Sequence, residues 1–85
     1  MSEIDKSQNE EKLKKIIAKY LGIKKEKIEL STLITNTAET RPFGKLFELY
    51  AKIEKEFDIK VPVEDMTKIK TVLNCLNYIN YHQEN

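Results

Sequence analysis

Apolar residues recur every three or four positions in three separate segments, and this spacing constrains the fold more than any other feature of the chain. Such spacing places apolar side chains on one face of an α-helix. In the first segment this face comprises Leu13, Ile16, Ile17, Tyr20 and Leu21. Ser7 and Glu10 have the spacing of a capping box, and Gly22 suits the position after the last helical residue. We therefore predict a first helix over residues 7–21.

A stretch without helical periodicity, residues 24–41, separates the first two segments. It is rich in serine, threonine and asparagine, which favour turns, and a loop of this length often carries function. Its aliphatic residues are expected to pack beneath it: Ile28, Leu30, Leu33 and Ile34. Pro42 suits the first turn of a second helix. The apolar face of that helix is predicted to contain Phe43, Leu46, Phe47, Leu49, Tyr50, Ile53 and Phe57.

Two further helices complete the predicted fold. Pro62 disfavours a strand in the extended run 60–63 and can begin a short helical turn over residues 63–66. Thr71 is a candidate N-cap for the last helix, whose apolar residues are Val72, Leu73, Cys75, Leu76 and Ile79. We expect a polar tail over residues 81–85. The prediction is a single all-α domain over residues 1–85, with three main helices, one short helix and an ordered core of about residues 7–81.

Composition excludes several classes of protein. The 85 residues carry 15 basic and 14 acidic side chains, a net charge of +1, which argues against nucleic-acid binding through bulk charge. No apolar run approaches the ~20 residues of a membrane-spanning helix, and residues 1–11 lack the apolar segment of a secretory signal. A single cysteine excludes a disulfide framework and suits a reducing compartment. We expect a cytoplasmic monomer without a membrane span.

Residues with catalytic or metal-binding chemistry are sparse. Cys75 and His82 are seven positions apart, which is beyond the spacing that puts two metal ligands on adjacent helical turns. The same separation is too long for a cysteine–histidine nucleophile pair. The two glycines lie far apart and form no phosphate-binding loop. We therefore predict no metal site and no enzymatic activity.

Positive charge is concentrated in residues 12–27, which hold seven lysines and one glutamate, a local charge of +6. The cluster has no arginine, the residue that commonly reads bases, and its one aromatic residue, Tyr20, belongs to the apolar face of the first helix. Three interpretations stay open: a solvated helix face, a docking surface for an acidic partner, or a contact for nucleic acid or an anionic membrane. The lysines are Lys12, Lys14, Lys15, Lys19, Lys24, Lys25 and Lys27.

Three groups of residues, in order along the chain, resemble the acyl carrier protein family. They are LKKII and LGI within residues 13–23, EKEFDI and VP within residues 54–62, and IKTV, YI and HQ within residues 69–83. The resemblance extends over about residues 10–83. It implies a four-helix bundle with a long first loop and a short third helix.

The attachment site that the family uses for its prosthetic group has no counterpart at the matching position of this sequence. Family members carry 4′-phosphopantetheine on the serine of an Asp-Ser-Leu motif at the start of the second helix. Counting back without gaps from the end of that helix places the motif on Pro42-Phe43-Gly44, and Phe43 has no hydroxyl to modify. We expect Phe43 to pack inward or to cover the mouth of the bundle, and we predict no cofactor. The alternative is attachment at a loop hydroxyl: Ser31, Thr32, Thr35, Thr37 or Thr40.

The second helix is the usual docking surface of the family and is acidic there. Its predicted exposed positions here are mixed in sign: Lys45, Glu48, Lys52, Glu54, Lys55 and Glu56. Such a surface is steered poorly towards the basic patches of the family's usual partners. The resemblance therefore implies binding to another protein, an enzyme of acyl transfer or of a biosynthetic pathway such as fatty acid biosynthesis. The predicted partner-binding residues are Phe43, Lys45, Glu48, Lys52 and Lys55.

Three functions follow from these observations. The first is an acyl-carrier-like domain that acts by protein–protein interaction and not as a thioester carrier. The second is a working acyl or peptidyl carrier, modified at a loop hydroxyl, in fatty acid or polyketide-type biosynthesis. The third is a small helical module that binds anions or nucleic acid through its lysines.

Overall fold

The structure is a computed structural model that describes residues 6–34 and 44–84, and within these ranges the fold is all-α. The helices are α1 (Lys6–Leu21), α2 (Gly44–Phe57), α3 (Val63–Met66) and α4 (Val72–Glu84). A turn of 3₁₀-helix, Lys25–Lys27, follows α1. No strand forms in the described part of the chain, where Leu33 and Thr71 make an isolated antiparallel β-bridge. The predicted all-α class, with three main helices and a short one, is confirmed.

Helix α1 runs antiparallel to both α2 and α4, because side chains near its start contact the ends of the other two. Asn9 Nδ2 donates to Asn80 Oδ1 and to Gln83 Oε1, each at 2.8 Å. One turn further along α1, Lys12 Nζ lies 4.0 Å from a carboxylate oxygen of Glu56. Helices α2 and α4 therefore end at the same end of the bundle, where Gln83 Nε2 donates to the Phe57 carbonyl at 3.3 Å.

One apolar face of each long helix forms the core. Helix α1 contributes Leu13, Ile17 and Ala18, and α4 contributes Val72, Cys75, Leu76 and Ile79. Helix α2 contributes Leu46, Leu49, Tyr50, Ile53 and Phe57. The connecting segments and α3 complete the core with Ile28, Ile34, Ile59, Val61, Met66 and Ile69.

Three residues that were expected in the core are exposed. Phe47 and Leu73 are 40% and 41% exposed, because each lies about 100° around its helix from the buried residue before it, at the edge of the apolar face. Leu33 is 53% exposed. Its neighbour Ile34 is fully buried, and successive side chains in extended backbone point to opposite sides.

Local hydrogen bonds explain the helix ends that were predicted correctly. Gly22 has a φ of 73°, which glycine adopts readily, and its amide and that of Ile23 both donate to the Ala18 carbonyl. At the start of α4, the Asn74 amide donates to Thr71 Oγ1 at 3.1 Å. The Asn74 side-chain oxygen in turn accepts the Thr71 amide at 3.2 Å, so the two residues cap the helix reciprocally.

Other predicted boundaries were wrong or lie outside the described residues. Helix α1 begins at Lys6, so Ser7 lies inside its first turn and not at the N-cap. Helix α4 continues to Glu84 instead of giving way to a polar tail, since Gln83 makes hydrogen bonds to both α1 and α2. The predicted start of the second helix, at Pro42 and Phe43, lies outside the described residues.

The described part of the first loop is fixed to the start of α4. The Ile34 amide donates to the Lys70 carbonyl at 2.8 Å, and the Val72 amide donates to the Thr32 carbonyl at 2.9 Å. Ile28 and Ile34 are buried and Leu30 is half-buried beneath this segment. The predicted anchoring of the loop by aliphatic residues is therefore confirmed for three of the four.

Candidate functional site

The structure describes the side chains of three of the five predicted partner-binding residues. Phe43 lies outside the described residues, and so does the side chain of Lys45, although its backbone belongs to α2. Glu48, Lys52 and Lys55 are exposed on α2. Lys52 and Lys55 line a groove shared with α1, whereas Glu48 is not part of its described lining.

This groove lies between α1 and α2 and has a volume of about 700 Å³. We call it the lysine groove. Its described lining residues are Lys15, Ile16 and Lys19 of α1 and Lys52, Lys55 and Glu56 of α2. Ile16 is half-buried and packs against the core, while the other five side chains are exposed. The groove therefore has an apolar base and charged walls.

Ion pairs divide the lysines of residues 12–27 into two groups. Lys14 Nζ lies 2.9 Å from Glu10, and Lys25 Nζ lies 2.6 Å from Glu11. The Lys25 pair lowers the pKa of Glu11 and raises that of Lys25, in each case chiefly through the hydrogen bond between them. Lys15 and Lys19 make no ion pair among the described side chains. Lys24 and Lys27 likewise make none, but only Lys15 and Lys19 of these four lysines belong to the described lining of the groove.

Sequence reasoning did not identify the groove as a site. It treated the lysines of the first helix and those of the second helix as separate features. A signal was present, because Lys15 and Lys19 are four positions apart and Lys52 and Lys55 are three apart. Each pair therefore lies on one face of its helix. Which faces meet depends on helix packing.

Two ionisable side chains, Cys75 and Tyr50, are buried in the core. Cys75 is 1% exposed, and burial raises the pKa of its thiol to about 12, so that the nucleophilic thiolate is scarce at neutral pH. Burial also raises the pKa of the Tyr50 phenol, first through desolvation and then through nearby ionisable groups. The Tyr50 hydroxyl has no hydrogen-bond partner in the described part of the chain. Neither group is arranged to react.

A second polar cluster joins α4 to the segment around α3. The Tyr78 hydroxyl donates to Asp65 Oδ2 at 2.7 Å, and it lies 3.2 Å from the Lys60 carbonyl. Desolvation and this bond to Asp65 raise the pKa of Tyr78. The exposed ring of His82 stacks on Tyr78 with 4.1 Å between ring centres. Among the described residues no group of three or more histidine, cysteine or acidic side chains could hold a metal ion.

Two of the five loop hydroxyls lie in the described range. Thr32 Oγ1 accepts the Glu29 amide at 2.8 Å, and the side chain is half-buried. Ser31 is exposed in the adjoining turn, with Leu30 before it and Thr32 after it. Thr35, Thr37 and Thr40 lie outside the described residues. The described loop thus offers one accessible hydroxyl, without the residues that flank the family's serine.

The sequence was also compared with models of known protein families, and its helices were tested for membrane-spanning length. No protein-family model matches the sequence. The resemblance to acyl carrier proteins therefore depends on the short groups of residues quoted above and on the order of the helices. None of the helices in residues 6–34 and 44–84 is long and apolar enough to cross a membrane.

Proposed function

We propose that this chain is an acyl-carrier-like domain that carries no phosphopantetheine arm and acts by binding another protein. The observation that carries the proposal is the lysine groove. It is a concave surface on α1 and α2 that offers charge and apolar area for a partner. By contrast, the Cys75 thiol is buried and the Tyr78 hydroxyl donates a hydrogen bond to Asp65.

The charge of this surface supports a change of partner relative to the family. Acyl carrier proteins present an acidic second helix to basic patches on their enzymes. Here Lys52 and Lys55 of α2 stand beside Lys15 and Lys19 of α1. Like charges across an interface weaken binding and slow association, so a partner with a basic patch would be repelled.

The attachment position supports the loss of the carrier role. A phosphodiester to phosphopantetheine needs a hydroxyl oxygen, and Phe43 has none. The Thr32 hydroxyl is occupied by the Glu29 amide. Ser31 has neither the aspartate before it nor the leucine after it that the family's motif contains.

Intact-mass measurement after co-expression with a promiscuous phosphopantetheinyl transferase tests this proposal. We expect the parent chain to keep its unmodified mass, while a genuine carrier domain expressed in parallel gains the mass of the arm. A matched variant restores the motif through Pro42→Asp, Phe43→Ser and Gly44→Leu. We expect this variant to gain the arm.

Two outcomes contradict the proposal. Modification of the parent chain would make it a working carrier, and digestion would then locate the modified hydroxyl. Failure of the restored variant to gain the arm, with circular dichroism showing that it is folded, would remove the alignment on which the resemblance to a carrier depends.

A further inference from the structure

We propose that the lysine groove binds an acidic amphipathic helix of the partner protein. The inference rests on the protein-binding function proposed above and names the chemistry of the partner. It requires that the groove supply unneutralised positive charge, an apolar base, and a spacing of charges that suits a helix.

The charge is present and is not cancelled within the described residues. The described lining residues include four lysines and one glutamate, a formal charge of +3. Glu56, the one acidic residue of the described lining, lies 4.0 Å from Lys12, which is not among the lining residues, so part of its charge is already satisfied. None of the four lysines forms an ion pair with a described carboxylate. Acidic side chains of a partner would supply the missing counter-charge.

The walls and the base of the groove also offer apolar area. Ile16 is half-buried at the base, where a partner's apolar side chain can contact it. Lysine stems are themselves apolar and keep the ammonium group in water. A ligand that carries only charge would leave this area unused, and the pattern therefore favours an amphipathic ligand.

The spacing of the lysines fits a helix. Lys15 and Lys19 lie one turn apart on α1, and Lys52 and Lys55 lie about one turn apart on α2. The two pairs stand on opposite sides of the groove. A third helix laid along it can present Asp or Glu at positions i and i+4 on both edges and an apolar residue between them. An amphipathic helix that lays its apolar face into a groove is a recurring mode of peptide recognition.

The lining disfavours nucleic acid. It contains no arginine and no aromatic side chain among its described residues. Arginine reads base edges and aromatic rings stack on bases, so the groove has only the unspecific part of a nucleic-acid site. An acidic amphipathic helix can contact both the lysine charges and the apolar area of the groove, and it is therefore the favoured occupant.

Fluorescence anisotropy with a labelled synthetic peptide tests the inference. The probe is a helical peptide with Leu at every third or fourth position and Glu on both flanks. Its control replaces each Glu by Gln. We expect the acidic peptide to bind the full chain, the neutral peptide to bind at least about tenfold more weakly, and added salt to weaken the acidic peptide most.

A matched pair of variants assigns the binding to the groove. The groove variant carries Lys15→Gln, Lys19→Gln and Lys52→Gln. The control variant removes the same charge from exposed lysines that are not among the described lining residues, through Lys27→Gln, Lys60→Gln and Lys68→Gln. We expect the groove variant to lose about tenfold in affinity and the control variant about twofold or less. Arginine at the three groove positions should restore binding.

Three results would overturn the inference. One is equal loss of affinity in the two Gln variants, which would reduce the effect to bulk charge. Another is absence of peptide binding to the parent chain. The last is tighter, groove-dependent binding of a DNA duplex, or of phosphatidylcholine vesicles containing phosphatidylserine. With either of the first two results an unmodified intact mass would leave the proposed function standing; the third result, or gain of the arm, would remove the proposed function as well.

Discussion

Helix α1 meets its two long neighbours in two different ways. Against α4 it is closed by polar side chains, since Asn9 is 5% exposed and donates to both Asn80 and Gln83. Against α2 it opens into the lysine groove, whose charged side chains are exposed. The two interfaces of one helix therefore separate two tasks. The polar contacts of the α1–α4 interface join the start of one helix to the end of the other, while the α1–α2 interface leaves charge available to a ligand.

The difference has a physical basis in solvation. A buried amide is stabilising only when its hydrogen bonds are made inside the protein, because no water can replace them. An exposed ammonium group stays solvated and adds little to stability. Changes at the α1–α4 interface should therefore alter the free energy of unfolding, and changes at the groove should alter binding.

The largest effect is expected at Asn9. Asn9→Ala removes the donor to Asn80 and Gln83 and leaves two partly buried oxygens without it. We expect the free energy of unfolding to fall by about 1–3 kcal/mol. Urea denaturation followed by circular dichroism measures this change. The control is Asn77→Ala, the same substitution at an exposed position of α4, which should change stability by less than about 0.5 kcal/mol. Equal effects of the two substitutions would remove the distinction drawn for the α1–α4 interface.

A smaller effect of opposite sign is expected at Tyr50. Its hydroxyl is fully buried and has no hydrogen-bond partner in the described part of the chain. Tyr50→Phe should therefore raise the free energy of unfolding by about 1 kcal/mol, because a buried hydroxyl without a partner is destabilising. Tyr78→Phe is the control and should lower it by a similar amount, since that hydroxyl donates to Asp65. Thermal denaturation of both variants decides the question, and loss of stability in Tyr50→Phe would show that its hydroxyl is satisfied.

The smallest effect on stability is expected at the groove. The triple variant Lys15→Gln, Lys19→Gln and Lys52→Gln removes like charges that face one another. We expect unfolding free energies within about 0.5 kcal/mol of the parent per site, and slightly above the parent at low salt, where repulsion is least screened. Urea titrations at low and high salt measure this. A large loss of stability would mean that the lysines hold the bundle together, which would contradict the division between the two interfaces.

The helices were predictable where two kinds of signal agreed. The end of α1 and the start of α4 coincide with the limits of an apolar period and with a glycine or a capping threonine, and the start of α3 coincides with a proline. Phe47 and Leu73 were placed in the core wrongly, because the period identifies a helical face but not the side on which a neighbouring helix covers its edge.

The buried polar residue and the groove were harder to predict. Asn9 precedes Leu13 by one turn and so continues the apolar face of α1, but a polar residue at such a position is usually exposed. Its burial depends on Asn80 and Gln83, which lie at the other end of the described chain. The groove depends in the same way on two helices that are distant in sequence. Local sequence patterns therefore predict neither the contacts of Asn9 with α4 nor the meeting of α1 and α2 at the groove.

The hydrogen bonds of Asn9 also affect the rate of folding and the way in which the helices open. Asn9 and Gln83 are separated by 74 positions, so their contact closes a loop of almost the whole described chain. The entropy of closure must be lost before this contact returns any energy, and contacts of such separation slow folding. The first and last helices of the described chain are thus cooperative: opening α4 uncovers the start of α1. Their amide hydrogens should exchange with solvent in a single event, as one unit of local unfolding.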